Sequence, residues 1–151
     1  MKLKQLNILL ADDDMDDCIF FKEALEELDL SKQVTVVHDG EQLMQLITNE
    51  TYEIPHVLFL DLNMPRKNGF ECLSEIKLNL RLKQLPVIIF STSFEQEVVN
   101  LLFKNGAHYF IRKPSEFSQF KKIIQETVTL IAEGNVSQTN RENFVITLKV
   151  V

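Results

Sequence analysis

A chain of 151 residues with 45% hydrophobic and 25% charged side chains has the size and core-forming capacity of one globular domain. Its formal charge of −6, with the basic residues scattered along the chain, offers no stripe for a phosphate backbone and disfavours direct nucleic-acid binding. The longest apolar runs, Val57 to Leu60 and Val87 to Phe90, fall far short of the roughly 20 residues that span a bilayer.

The chain starts Met1-Lys2-Leu3-Lys4-Gln5-Leu6-Asn7, without the apolar core or small-residue cleavage site of a secretory signal, and a cytoplasmic location is expected. The first strand reads as Leu6 to Ala11, followed by Cys18, Phe21, Leu25 and Leu28 at helical spacing. A second strand, Gln33 to Val37, precedes the stripe Leu43, Leu46 and Ile47. The third strand, Val57 to Leu60, precedes Phe70, Leu73, Ile76 and Leu80. The fourth, Val87 to Phe90, precedes Val98, Leu101 and Leu102. The fifth, Ala107 to Ile111, precedes Phe117, Phe120, Ile124, Val128 and Ile131.

Five strand–helix alternations predict an α/β fold, a doubly wound five-stranded parallel sheet with helices on both faces. The middle strands are continuous apolar runs, as burial on both faces requires. Asp39 with Gln42, and Ser93 with Gln96, have the spacing to cap helices reciprocally, and Gly106 and Gly134 are natural left-handed stops. Cys18 and Cys72 lie far apart with no C-x-x-C pair and are expected to be reduced, partly buried thiols.

Residues 5–133 form the expected domain, with 134–151 as a C-terminal extension. Its polar part, Asn135 to Asn143, includes the glycosylation sequon Asn135-Val136-Ser137, which a cytoplasmic chain would not have modified. Phe144 to Val151 is rich in β-formers and reads either as an extra strand, added to a sheet edge of its own chain or of a partner, or as a disordered tail.

Ligands of open α/β sheets gather at the carboxyl ends of the strands. Strand one ends in Asp12-Asp13-Asp14, strand three in Asp61, strand four in Ser91-Thr92, and strand five is followed by Lys113-Pro114. Crowded carboxylates resist joint ionisation unless a cation joins them, and with hard oxygen donors and no His or Cys ligand set, Mg²⁺ fits best. Lys113 and the ion would compensate an incoming phosphoryl group, Ser91 could donate to one of its oxygens, and Asp61 would be the nucleophile. Asp14, Asp16 and Asp17 are assigned instead to capping and to the favourable first turn of a helix. His38, His56 and His108 read as structural or surface residues.

Four segments in order carry a resemblance to the receiver domains of two-component signalling. They are Ile8 to Asp13, Val57 to Pro65 with Gly69, Pro86 to Ser91, and Gly106-Ala107 through Phe110 to Lys113-Pro114. The resemblance implies a stand-alone response regulator of flavodoxin-like fold, strand order 2-1-3-4-5, acting in a phosphorelay. It implies that Asp61 is the phosphoacceptor, Asp13 a direct Mg²⁺ ligand, Asp12 a carboxylate holding metal-bound water, and Asn63 a ligand through its backbone carbonyl. Lys113 matches the phosphate-pairing lysine, Ser91 the switch hydroxyl, and Phe110 an aromatic that changes rotamer on activation. It further implies a cis Lys113–Pro114 peptide. Thr92 stands where many members have Ala or Gly, and its bulk is expected to narrow access to Asp61.

The expected donor is a sensor histidine kinase or a histidine phosphotransfer protein. No DNA-binding or catalytic domain follows residue 133, so output is expected through contact with a protein target, with no nucleic acid or membrane partner and a homodimer left open. On this reading the chain is a phosphoacceptor signalling domain that promotes its own phosphorylation and dephosphorylation, not an enzyme. The alternatives are a receiver-like interaction module that does not phosphorylate, and an aspartyl-phosphate hydrolase. The hydrolase is disfavoured because Asn63 stands where it needs a second acid and because its nucleophile follows the first strand. A nucleotide-binding enzyme lacks the G-x-x-x-x-G-K-[ST] loop.

Overall fold

Strands and helices alternate along the residues that the computed structural model describes, 5–134 and 140–147. In chain order they are β1 (Leu6–Ala11), α1 (Met15–Glu26), β2 (Lys32–Val37), α2 (Gly40–Ile47), β3 (Val57–Asp61), α3 (Gly69–Leu78), β4 (Val87–Ser91), α4 (Gln96–Lys104), β5 (Tyr109–Arg112) and α5 (Phe117–Ala132). A 3₁₀ turn at Arg141–Asn143 leads into β6 (Val145–Ile146). The sheet is parallel throughout, in the order β2-β1-β3-β4-β5-β6. This is the expected doubly wound fold with a sixth strand appended to β5. The sequon Asn135-Val136-Ser137 and the last part of the extension, 148–151, lie outside the described residues.

The two-residue period of a strand sorts the core into two layers. Leu6, Ile8 and Leu10 of β1, Val57 and Phe59 of β3, Ile88 and Phe90 of β4 and Ile111 of β5 pack with α1 and α5. Leu9 and Ala11, Leu58 and Leu60, Val87 and Ile89, and Phe110 face the other way, onto α2, α3 and α4. β3 and β4 are buried at every position, which is why both read as unbroken apolar runs. The same burial carries β3 one residue beyond the apolar run, into Asp61, and carries β4 into Ser91. β5 starts later than expected: Ala107 instead gives its N–H to the Leu102 carbonyl at the end of α4.

Several local expectations need correction. Ser93 does not cap α4, because that helix starts at Gln96 with Glu95 as an N-cap that makes no side-chain bond, and the Ser93 N–H goes to Ser91 Oγ at 3.2 Å. Asp39 does cap α2, accepting from Gln42 N at 2.8 Å, but the Gln42 side chain accepts from His38 N rather than from the cap itself. The reciprocal capping box belongs to Asn68 and Glu71 at α3.

In α4 the inward pair is Val99 and Leu102, which leaves Leu101 51% exposed; Leu80 lies beyond the end of α3 and is 84% exposed. Gly106 and Gly134 both take φ of 92°, as left-handed stops do. The Lys113–Pro114 bond is trans, the form that even tertiary amides favour.

The extension docks through Phe144, which is fully buried, meets the Phe103 ring edge-on at 5.3 Å between centroids, and accepts the Phe110 N–H at 3.0 Å. Val145 and Ile146 then pair with Phe110 and Ile111. Among the described residues no helix is long and apolar enough to cross a membrane.

Candidate functional site

The alternation that builds the core also builds the site. Asp12 continues the parity of Leu6, Ile8 and Leu10; Asp61 continues that of Val57 and Phe59; Lys113 continues that of Tyr109 and Ile111. All three therefore leave the sheet on the α1–α5 side, at the carboxyl edge. The ladder holds past the strand ends, with Asp12 N donating to the Val37 carbonyl at 3.0 Å and Lys113 N to the Ser91 carbonyl at 2.8 Å.

Asp12, Asp13 and Asp61 each bring a carboxylate oxygen into one cluster, within 4.8 Å of one another. Asp12 and Asp61 are buried and Asp13 is exposed. Burial pushes the Asp61 carboxyl up to about 8, with Lys113 pulling against that shift and the Asp12 charge adding to it. Asp12 is also raised, mainly by burial. An all-oxygen set with more negative charge than its surroundings compensate fits a hard divalent cation.

The compensating charge that is present comes from Lys113. Its side chain is only 5% exposed, and its ammonium lies 2.8 Å from Asp12 Oδ2, 2.9 Å from Asp17 Oδ2 and 3.7 Å from Asp61 Oδ1, over the face of Phe90 at 5.1 Å. These carboxylates hold the ammonium above its ordinary range against the opposing effect of burial.

Asp17 stands in the first turn of α1 as expected, but sequence reasoning missed its second contact, with the site. Asp14 is the N-cap of α1 and accepts from Asp17 N at 3.1 Å, as expected, but the Asp17 carboxylate reaches Lys113 rather than merely facing the helix dipole. The signal lay in the third dimension, since the two residues stand 96 positions apart.

The Asp12 carbonyl and carboxylate are held by neighbouring groups. The Asp12 carbonyl accepts from Cys18 Sγ at 3.5 Å and from His38 Nδ1 at 3.2 Å, and Asp14 N donates to Asp12 Oδ1 at 3.0 Å. Burial pushes the Cys18 thiol up to about 12, so it stays a proton donor and not a nucleophile. The other two histidines accept main-chain hydrogen bonds: His56 Nδ1 from Asn7 N at 2.8 Å, His108 Nδ1 from Val87 N at 3.0 Å.

Ser91 and Phe110 belong to the opposite parity. Both are fully buried, and Phe110 meets the Phe94 ring edge-on at 5.8 Å. Phe110 thus packs on the α4 side of the sheet, while Ser91, the last residue of β4, stands at the carboxyl edge where the strands bearing the acids also end. Asn63 and Thr92 are exposed in the loops after β3 and β4, and Thr92, Lys113 and Asp17 share the wall of an open cavity of about 670 Å³.

Two glycines set the loops. A Cβ on Gly69 would stand 2.6 Å from the Asp61 carbonyl oxygen, and one on Gly40 would collide with that of Lys67. Between them Arg66 takes φ of 68° and pairs with Asp39 at 3.7 Å and Glu41 at 3.4 Å.

The family model for the response regulator receiver domain matches residues 8–125. Response regulator Rcp1 of Synechocystis sp. is 31% identical over 136 residues, which covers 83% of this chain and 92% of that protein. The crystal structure of the Mn(2+)-bound form of Rcp1 superposes with a TM-score of 0.81 at 27% identity, covering 89% of this chain and 99% of the other. That of the phosphorylated cyanobacterial phytochrome response regulator RcpA gives 0.77, also at 27% identity, over 90% of this chain and 99% of the other.

Proposed function

Since the chain belongs to the response regulator receiver family of two-component signalling, we propose that it carries its signal as an acyl phosphate on Asp61, formed at the expense of a phosphohistidine. The observation that carries this reading is the convergence of Asp12, Asp13 and Asp61 oxygens within 4.8 Å, with the Lys113 ammonium 3.7 Å from Asp61.

An Asp61 carboxylate oxygen attacks phosphorus, the P–N bond to the donor imidazole breaks, and the departing ring nitrogen takes up a proton. Lys113 pairs with a phosphoryl oxygen and so offsets the charge that Asp61 acquires. Asp13, Asp61 and the Asn63 carbonyl are the groups that would hold Mg²⁺, with Asp12 on a metal-bound water; when bound, the ion neutralises charge on the phosphoryl oxygens. The Ser91 hydroxyl donates to a third oxygen, and its movement acts on the α4 face, where Phe110 lies. The donor is a sensor histidine kinase or a histidine phosphotransfer protein, and the output is contact with a protein target.

Intact-mass measurement tests the proposal. With Mg²⁺ and a small phosphodonor the wild type should gain one phosphate, and Asp61→Asn should gain none. A wild-type mass left unchanged by both the small donor and the cognate kinase would point to a silent interaction module, and multiple-turnover hydrolysis of unrelated phosphoesters would point to a hydrolase.

A further inference from the structure

Lys113 is shared between two sides of the site. Its ammonium is within hydrogen-bond distance of Asp12 and Asp17 at 2.8 and 2.9 Å, whereas Asp61 is farther away at 3.7 Å. A lysine ammonium has three donors. Two are committed to carboxylates that accept no phosphate on the reading above, and the Phe90 ring lies beside it at 5.1 Å.

Asp17 is well placed to hold that geometry. It stands in the first turn of α1, its own N–H is fixed by the Asp14 cap, and its side chain is one-fifth exposed on the wall of the open cavity. Asp12 is fully buried beneath it. An incoming phosphoryl group therefore meets an ammonium already engaged by a carboxylate from outside the strand-end cluster, and meets that carboxylate's negative charge as well.

We propose that Asp17 is a positioning residue that holds Lys113 on the α1 side of the site and competes with the phosphoryl oxygens for its ammonium, so restraining the rate at which Asp61 gains and loses phosphate. This rests on Asp61 being the phosphoacceptor. The two transition states, formation and hydrolysis of the acyl phosphate, present similar phosphoryl oxygens to Lys113, so Asp17 opposes both. Releasing Lys113 accelerates both steps, and the steady-state fraction of phosphorylated protein changes less than either rate.

The test follows phosphate gain from acetyl phosphate in Mg²⁺, and decay after donor removal, by intact mass for wild type, Asp17→Asn and Asp17→Glu. Asp17→Asn should speed both steps about threefold or more at low salt, the scale of one partly screened ion pair. Added salt should narrow the gap between this variant and the wild type, and Asp17→Glu should stay near wild type. A merely structural Asp17 would lower the melting temperature of Asp17→Asn without accelerating either step. Should Asp17→Asn fail to fold, Asp17→Ser carries the same comparison.

A phosphorylated wild type whose rates are unchanged or slowed in Asp17→Asn overturns the role given to Asp17 and leaves the phosphoacceptor reading standing. A wild type that takes no phosphate overturns both.

Discussion

The backbone of Asp61 rests directly on Gly69. The Gly69 N–H donates to the Leu62 carbonyl at 2.9 Å, and no room remains for a side chain, since a Cβ would stand 2.6 Å from the Asp61 carbonyl oxygen and 2.8 Å from Leu62 Cα. Backbone atoms cannot swing aside as a side-chain tip can. Gly69→Ala should cost about 1–3 kcal/mol, the range for overpacking. It should also weaken Mg²⁺ binding, because the displaced strand end carries the carboxylate. Urea unfolding and a Mg²⁺ titration check the two effects; unchanged stability would refute the tight contact.

Without a divalent ion, Asp61 should make the protein less stable as pH rises. Its carboxyl is pushed up to about 8 in the folded state, and Asp12 moves in the same direction, whereas an unfolded aspartate titrates near about 3.9. The native state thus binds more protons than the unfolded one through that interval, and stability falls from about pH 4 to about pH 8. A cation competes with those protons, so Mg²⁺ should stabilise little at the acid end and increasingly toward pH 8. Melting temperatures across pH with MgCl₂ or EDTA test this, and Asp61→Asn should flatten both the pH slope and the Mg²⁺ response.

His108 should act in the opposite sense. Burial and the neighbouring Lys77 charge lower its imidazole to about 4. Between about pH 6.5 and 4 the unfolded chain binds the extra proton, so stability is lost as pH falls through this window, by up to about 3 kcal/mol. Asn at 108 retains an acceptor for the Val87 N–H without titrating. His108→Asn should therefore show a shallower acid limb in pH-dependent urea unfolding; an unaltered limb would exclude His108 as its source.

Phe144 should be a large single contributor from the C-terminal extension. It is fully buried against Phe103, and its carbonyl accepts the Phe110 N–H. Phe144→Ala should cost about 3 kcal/mol, with Phe144→Leu costing less. Equilibrium unfolding gives the number, and a loss under about 1 kcal/mol would show that the segment adds little to the fold.

The sheet and the clustering of three residues of the candidate site were legible because both follow from one rule. Helix-covered parallel strands must be apolar on both faces, so β3 and β4 stand out, and whatever polar residue ends them lies at the ligand-binding edge. Asp61 was found that way at the end of β3, and Asp12 and Lys113 by carrying the rule to the ends of β1 and β5. Asp17 was not, because its partner is distant in sequence and its local setting already explained an acid there. The Asn68–Glu71 box had the right spacing but sat behind Arg66, whose positive φ no pattern announces. The Ser93–Gln96 pair had the spacing too, yet the Ser93 N–H was taken by Ser91 Oγ. β6 is two residues long, too short for any period to register, and what fixes it is Phe144 finding space between α4 and β5.

The two borders of the sheet are guarded differently. β2 is only partly buried along most of its length, and its Lys32 turns back to donate to the Leu28 and Leu30 carbonyls at 2.9 and 3.2 Å. On the opposite border, β6 occupies the side of β5 that would otherwise offer bare main chain to any extended segment nearby. The anchor that holds β6 therefore also sets which main chain this border of the sheet covers, that of Phe110 and Ile111.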